Sequence, residues 1–137
     1  MTRILIVDDV PELRSIFRLL LETEERYEVV GEAADGLEAI EKAAQLKPDL
    51  VILDMAMPRL DGLQAIPRIH DAAPGVRILV LSGFEAQSLQ DKAIASCATA
   101  FLSKGASSEK LISLVDEVAA SPPKRRTSDG VCERLPA

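Results

Sequence analysis

Tryptophan is absent from this 137-residue sequence, tyrosine and histidine occur once each, and phenylalanine occurs three times. Without tryptophan, the usual intrinsic fluorescence report on metal binding is lost. The single histidine, His70, argues against a Ser/His/Asp hydrolase, and its place on the polar face of a helix predicts a solvated side chain. The two cysteines, Cys97 and Cys132, have neither close spacing nor a His/Cys cluster around them, which disfavours a zinc site and lends no support to a disulfide framework. The glycine patterns GxxxxGK and GxGxxG are missing, so nothing points to a nucleotide loop. No apolar run approaches the ~20 residues of a membrane span. The longest, such as Ile4 to Val7 and Leu50 to Leu53, are short, and Met1-Thr2-Arg3 leads straight into the first, so neither signal peptide nor anchor is expected and the chain reads as cytoplasmic. Basic residues are outnumbered by acidic ones, 16 to 22, and the net charge of -6 argues against charge-driven binding to nucleic acid or to a membrane surface.

What the sequence does contain is alternation. Short aliphatic and β-branched strings at Arg3 to Val7, Glu28 to Ala33, Leu50 to Leu53, Arg77 to Leu81 and Thr99 to Leu102 alternate with segments of helical period, the signature of an α/β domain with a parallel sheet. The middle strings carry no polar alternation, as expected of strands covered on both faces. Leu13, Ile16, Phe17 and Leu20 mark the apolar face of the first helix, whose start suits Pro11, and Leu37, Ile40 and Ala44 mark that of the second. A third helix, Leu63 to Asp71, contains Pro67 and should be loosened or kinked there. The fourth, Ala86 to Ser96, has a weak apolar stripe and reads as a moving part. The fifth follows Ser107 as N-cap, buries Leu111, Val115 and Val118, and ends near Ala120. One domain accounts for this length.

From Ser121 the composition changes to SPPKRRTSDGVCERLPA, and Pro122-Pro123 stops the helix, so residues 121–137 read as a flexible tail or linker after a domain at 1–120. The tail holds four basic and two acidic residues, leaving 12 basic against 20 acidic in the folded part. Lys124-Arg125-Arg126 reads as a solvated stretch.

In open parallel sheets ligands bind beyond the carboxyl ends of the strands. Those positions hold Asp8 and Asp9 after the first strand, Asp54 after the third, Ser82-Gly83 after the fourth and Ser103-Lys104 after the fifth. Three carboxylates within ~4 to 6 Å repel by a few kcal/mol per pair even at an effective dielectric near 20, so they call for a compensating cation. Lys104 supplies one charge, and an oxygen-only set with few protein ligands suits Mg2+. A phosphoryl group near Asp54 would meet the metal, the Lys104 ammonium and the Ser82 hydroxyl, which makes Asp54 the candidate nucleophile.

The segments VDDVPELR, LDMAMPRLDGL, LVLSGF and AFLSKGAS resemble, in order, the marker segments of response-regulator receiver domains of two-component signalling, and the likeness covers residues 3–120. It implies a flavodoxin-like fold: a five-stranded parallel sheet of order 2-1-3-4-5, doubly wound with five helices. It further implies Mg2+-dependent phosphorylation of Asp54 by a histidine kinase or phosphotransfer protein. Asp8, Asp9, Asp54 and the Ala56 carbonyl would hold the metal, Lys104 would contact the phosphoryl group, and Ser82 and Phe101 would form the switch pair. The chain would catalyse only its own phosphorylation and dephosphorylation. Its output would pass to a protein partner through the face of the fourth helix, fifth strand and fifth helix, with phosphorylation-dependent homodimerisation a further expectation and no membrane or direct nucleic-acid contact.

Two positions depart from the common pattern. Gly105 stands where a proline often follows the lysine, and KGAS looks more like receivers that precede helix-turn-helix output domains. Ala56 is too small and apolar to orient an attacking water and Phe84 is placed to shield the acyl phosphate, so slow self-hydrolysis is expected. A haloacid dehalogenase-type phosphatase would need an Asp at position 56, and a flavodoxin would need a hydroxyl-rich loop in place of Asp8-Asp9. The reading favours a stand-alone receiver, with the receiver half of a DNA-binding transcription regulator as the alternative.

Overall fold

In the computed structural model five parallel strands lie side by side in the order β2-β1-β3-β4-β5. They are β1 (Thr2–Val7), β2 (Tyr27–Ala33), β3 (Leu50–Asp54), β4 (Arg77–Ser82) and β5 (Ala100–Ser103). Between them run α1 (Pro11–Glu22), α2 (Gly36–Leu46), α3 (Gly62–Ala72) and α4 (Gln87–Ala95), and α5 (Ser108–Ala120) follows the last strand. The structure describes residues 1–57, 59–83, 87–127 and 130–134.

The sheet is continuous because β1, β3 and β4 are apolar toward both faces. Leu5, Val7, Val51, Leu53, Ile78 and Val80 point into one core, closed by Ala39 and Ala43 of α2, Ile66 and Ile69 of α3 and Ala93 of α4. Ile4, Ile6, Leu50, Ile52, Leu79 and Leu81 point into the other, closed by Leu21 of α1 and by Leu111, Val115 and Val118 of α5. Period-two alternation thus divides each strand between two helical layers.

Two helices bury only part of the apolar face that their sequence suggests: Phe17 and Leu20 of α1 and Ile40 of α2 pack against the core, and other members do not. In α2 the buried positions are Gly36, Ala39 and Ala43, while Leu37 is 41% exposed and Ala44 is also exposed. The helix lies against α3, and only small side chains permit the approach: a Cβ on Gly36 would stand 2.4 Å from the Leu60 carbonyl oxygen. In α1 the fully buried residue is Leu21, Ile16 is 50% exposed, and Leu13, Phe17 and Leu20 are half-buried along a groove facing Leu111 of α5. Helix α3 continues through Pro67 without ending there.

Within the segment read as a flexible tail, two short stretches are ordered as strands. Strands β6 (Lys124–Arg126) and β7 (Cys132–Arg134) form an antiparallel hairpin. Its turn is closed by the Val131 N–H on Thr127 Oγ1 at 3.2 Å, and Gly130 adopts a φ of 81° there. Contrary to the sequence expectation, Cys97 and Cys132 are joined in a disulfide with a Cα–Cα distance of 5.4 Å across 35 residues of sequence. His70 is likewise not solvated. It is 3% exposed, and its Nε2 lies 2.8 Å from the Cys97 carbonyl oxygen. Among the described residues no helix is long and apolar enough to cross a membrane.

Candidate functional site

Four of the five strands, β1, β3, β4 and β5, deliver a polar residue to the same edge of the sheet. Register pairs Val7 with Leu53, Asp54 with Leu81 and Ser82 with Ser103, so Asp8, Asp54, Ser82 and Ser103 all stand at or just past carboxyl ends. The Asp8 N–H donates to the Ala33 carbonyl at 3.0 Å, and the Lys104 N–H donates to the Ser82 carbonyl at 2.9 Å, which extends the backbone ladder into the site.

Carboxylate oxygens of Asp8, Asp9 and Asp54 all lie within 4.8 Å of one another, Asp8 and Asp54 buried and Asp9 exposed. Asp8 Oδ1 accepts the Val10 N–H at 2.9 Å, and Asp54 Oδ1 accepts the Ala56 N–H at 3.2 Å. Lys104 spans the two buried acids, with Nζ 3.0 Å from Asp54 Oδ1 and 3.4 Å from Asp8 Oδ2. Asp54 Oδ2 is buried with no hydrogen-bond donor, and Asp8 Oδ2, equally buried, meets only the long 3.4 Å contact to Lys104. Three carboxylates facing one ammonium leave excess negative charge, and a buried anionic oxygen without a donor beside one held only by a long ion pair is costly unless a cation meets them. The donor set therefore fits a hard divalent cation held by oxygen.

Burial lifts the Asp54 carboxyl above the usual carboxylate range. The Lys104 and Ala56 hydrogen bonds oppose that shift, and the Asp8 charge adds to it. Burial works against the Lys104 ammonium, but Asp54 and Asp8 outweigh it and hold its pKa above the ordinary value. Both shifts follow from a partly desolvated cluster with too little positive charge.

The cluster is braced from outside. Arg14 Nη1 donates to the Asp8 carbonyl at 2.6 Å while its Nε pairs with Glu32 at 3.0 Å. Behind Asp54, the Gly62 N–H donates to the Met55 carbonyl at 3.0 Å. A Cβ on Gly62 would stand 2.6 Å from the Asp54 carbonyl oxygen, so α3 can start this close to the site only with glycine there. Asp35 caps α2 through the Glu38 N–H at 2.9 Å and pairs with Arg59 at 2.6 Å. Its carboxyl is held low chiefly by that backbone bond. Arg14 and Gly62 lie inside the segments VDDVPELR and LDMAMPRLDGL, whose pattern alone announces neither bracing role. A basic residue one turn beyond Asp8-Asp9, and the Asp-Gly start of α3, were the signals.

The Ser82 side chain is buried at the end of β4, and Phe101, opposite Val80 in register, is half-buried against the α2-α3-α4 layer. Gly105 follows Lys104, and its N–H donates to Ser103 Oγ at 3.3 Å. Among the described residues the glycines with positive φ are Gly75 and Gly130, so Gly105 is not in the left-handed region. Phe84 lies outside the described residues. His70 lies outside the carboxylate cluster. Burial holds its imidazole below the ordinary pKa against the Cys97 carbonyl, and its Nδ1 has no hydrogen-bond partner.

A doubly wound parallel sheet of order 2-1-3-4-5, with an acidic cluster and one lysine at its carboxyl edge, defines a flavodoxin-like α/β signalling module. A family model described as the response regulator receiver domain matches residues 4–116, and the chain belongs to that family. It is 36% identical over 117 residues to the chemotaxis protein CheY of Thermotoga maritima, covering 85% of this chain and 97% of that protein. It is 38% identical over 137 residues to protein-glutamate methylesterase/protein-glutamine glutaminase 5 of Myxococcus xanthus, covering 98% of this chain but spanning only 38% of that relative's length. Among solved structures, the response regulator domain of Thermotoga maritima CheB superposes with a TM-score of 0.82 at 30% identity, over 90% of this chain and 99% of that one. A LuxR-family two-component response regulator from Aurantimonas superposes with a TM-score of 0.85 at 29% identity, over 94% and 91%.

Proposed function

We propose that the chain is a phosphorylation-activated receiver that accepts a phosphoryl group on Asp54 from the phosphohistidine of a histidine kinase or phosphotransfer protein. The observation that carries this reading is the buried pair Asp8 and Asp54 with Lys104 astride both and Asp54 Oδ2 left without a donor. Mg2+, held by Asp8, Asp9, Asp54 and the Ala56 carbonyl, would neutralise charge on the transferring phosphoryl oxygens. An Asp54 carboxylate oxygen attacks phosphorus, the P–N bond to the donor imidazole breaks, and the imidazole leaves with the electron pair. Asp54 is fixed for attack by the Ala56 N–H and by the floor that Gly62 allows. Lys104 follows the new negative charge through an ammonium already 3.0 Å from Oδ1. Phosphorylation shifts a two-state equilibrium in which Ser82 and Phe101 move and the α4-β5-α5 face repacks toward a protein partner or a second copy. With Ala56 beside the site, the acyl phosphate persists for minutes or longer.

Intact mass after incubation with Mg2+ and acetyl phosphate tests the reading. One phosphoryl adduct, absent with chelator and from Asp54→Asn, is expected, and an adduct that survives Asp54→Asn refutes it. The second reading, the receiver half of a DNA-binding transcription regulator in the cytoplasm, draws on the likeness to the LuxR-family regulator from Aurantimonas and on 38% identity to the transcriptional regulatory protein YhcZ of Bacillus subtilis, of which this chain covers 51%. A gel-shift assay on the intact gene product separates the two, since a shift of duplex DNA is expected only for the second.

A further inference from the structure

We propose that Cys97 and Cys132 form a thiol–disulfide latch that pins the β6-β7 hairpin across the α3-α4 face and tethers the end of α4. A dithiol reductant opens it. The inference builds on the receiver reading only in giving α4 a signalling role. Three observations carry it.

The first is the division of labour in the fold. The five-stranded sheet is complete by Ser103 and both helical layers by Ala120, so the receiver body stands without the hairpin. A two-stranded hairpin alone is marginal in water. Its ties to the body among the described residues include polar ones: Lys124 Nζ on the Ala98 carbonyl at 2.9 Å, and Arg126 Nη1 on the largely exposed Asp71 at 3.0 Å and on the Pro67 carbonyl at 3.5 Å. A solvated ion pair such as Arg126–Asp71 contributes little, and the disulfide is the covalent tie that fixes the hairpin to the body.

The second is where the bond attaches. Cys97 is fully buried between the end of α4 at Ala95 and the start of β5 at Ala100, with a φ of 87° in the left-handed region. The hairpin reaches α3 on its other side through Arg126. The bond therefore ties the junction that a repacking α4 would have to bend to a strand anchored on α3.

The third is access. Cys132 is half-buried, and a cleft of about 540 Å3 runs beside it between Ile94 and Ala95 of α4 and Val131 of the hairpin. A reductant thiolate attacks Cys132 Sγ, the S–S bond breaks, and Cys97 leaves as a thiolate that takes up a proton. The second thiol of the reductant then displaces Cys132 in the same way. The reductant is oxidised to its disulfide and the pair is reduced by two electrons. In reducing compartments, disulfides are usually transient or redox-sensing rather than permanent staples.

The full chain, oxidised and after treatment with dithiothreitol, should be compared by hydrogen exchange, with Cys132→Ser as a permanently open form. Reduction should lower protection by about tenfold or more over residues 124–134 and the last turn of α4, while β1, β3 and β4 keep theirs. Cys132→Ser should match the reduced protein under both conditions. The lone imidazole, His70, offers a second readout. It faces Asp71, Lys124 and Arg126 beneath the hairpin, and its NMR titration midpoint should rise toward the ordinary histidine value on reduction. Unchanged exchange on reduction, loss of protection spread through the sheet, or two freely alkylated thiols after oxidation would each overturn the latch. None of these readouts requires phosphorylation, so failure here leaves the Asp54 reading standing.

Discussion

Lys104→Met keeps the aliphatic stem and deletes the charge that lies 3.0 Å from Asp54 and 3.4 Å from Asp8. At an effective dielectric of about 20, each contact is worth roughly 5 kcal/mol in gross Coulomb terms. Much of that is offset by the cost of desolvating the ammonium and by solvent reaching a side chain that is 28% exposed. Removing one partner of a buried pair typically costs about 3 to 5 kcal/mol. Asp54 can escape part of that penalty by taking up a proton, so a loss of about 2 to 3 kcal/mol is expected near neutral pH without divalent ions. The pH dependence gives the reasoning its sharper test. The folded carboxyl of Asp54 already titrates above its unfolded value. Between those two values the native state binds more protons than the unfolded state, so its contribution to stability rises as pH falls through that window. Loss of Lys104 pushes the folded value higher, and the gap between mutant and wild type should therefore narrow as the pH falls through the raised folded value toward the unfolded one. Added Mg2+ should narrow it as well. Urea melts at several pH values measure both effects, and a gap that stays constant with pH, or no destabilisation at all, would refute the charge argument.

Gly62→Ala places a Cβ 2.6 Å from the Asp54 carbonyl and 2.8 Å from Met55 Cα. It should cost about 1 to 3 kcal/mol in urea melts and slow phosphorylation, because the floor beneath the acceptor must move. The small-residue packing of α2 predicts that Ala43→Leu destabilises by about 1 to 3 kcal/mol while Leu37→Ala stays within about 0.5 kcal/mol, an order that equilibrium unfolding would reverse if Leu37 faced the core. Ser82→Ala should still accept a phosphoryl group but fail to strengthen binding at the α4-β5-α5 face, and a normal phosphorylation-dependent gain in partner affinity by this variant would remove Ser82 from the switch.

The parallel sheet and its acidic edge were readable because each depends on local pattern. Runs such as Val51-Ile52-Leu53 are apolar toward both faces and end on a polar residue, so the sequence places Asp54 at the sheet edge without knowledge of tertiary contacts. Where packing between elements decides the outcome, pattern misleads. Periodicity weights Leu37, Ile40 and Ala44 in α2; Ile40 does pack against the core, yet the close approach to α3 buries Gly36, Ala39 and Ala43 and leaves Leu37 and Ala44 exposed. His70 reads as solvated on its own helix and is buried, with the Cys97 carbonyl at its Nε2 and the basic hairpin residues nearby. The Cys97–Cys132 bond depends on the chain folding back over 35 residues, a distance that no spacing rule spans. Arg14 and Gly62 serve the site through backbone contacts, which their side-chain chemistry does not announce.

The most direct test of the central claim is to locate the phosphoryl group. Protein treated with acetyl phosphate and Mg2+ is reduced with borohydride, which converts an aspartyl phosphate to homoserine, and is then read by peptide mass spectrometry. Homoserine at position 54, absent without Mg2+, is the expected result. Homoserine at position 8 or 9 instead, or no conversion while the intact protein carries the adduct, would contradict Asp54 as the acceptor.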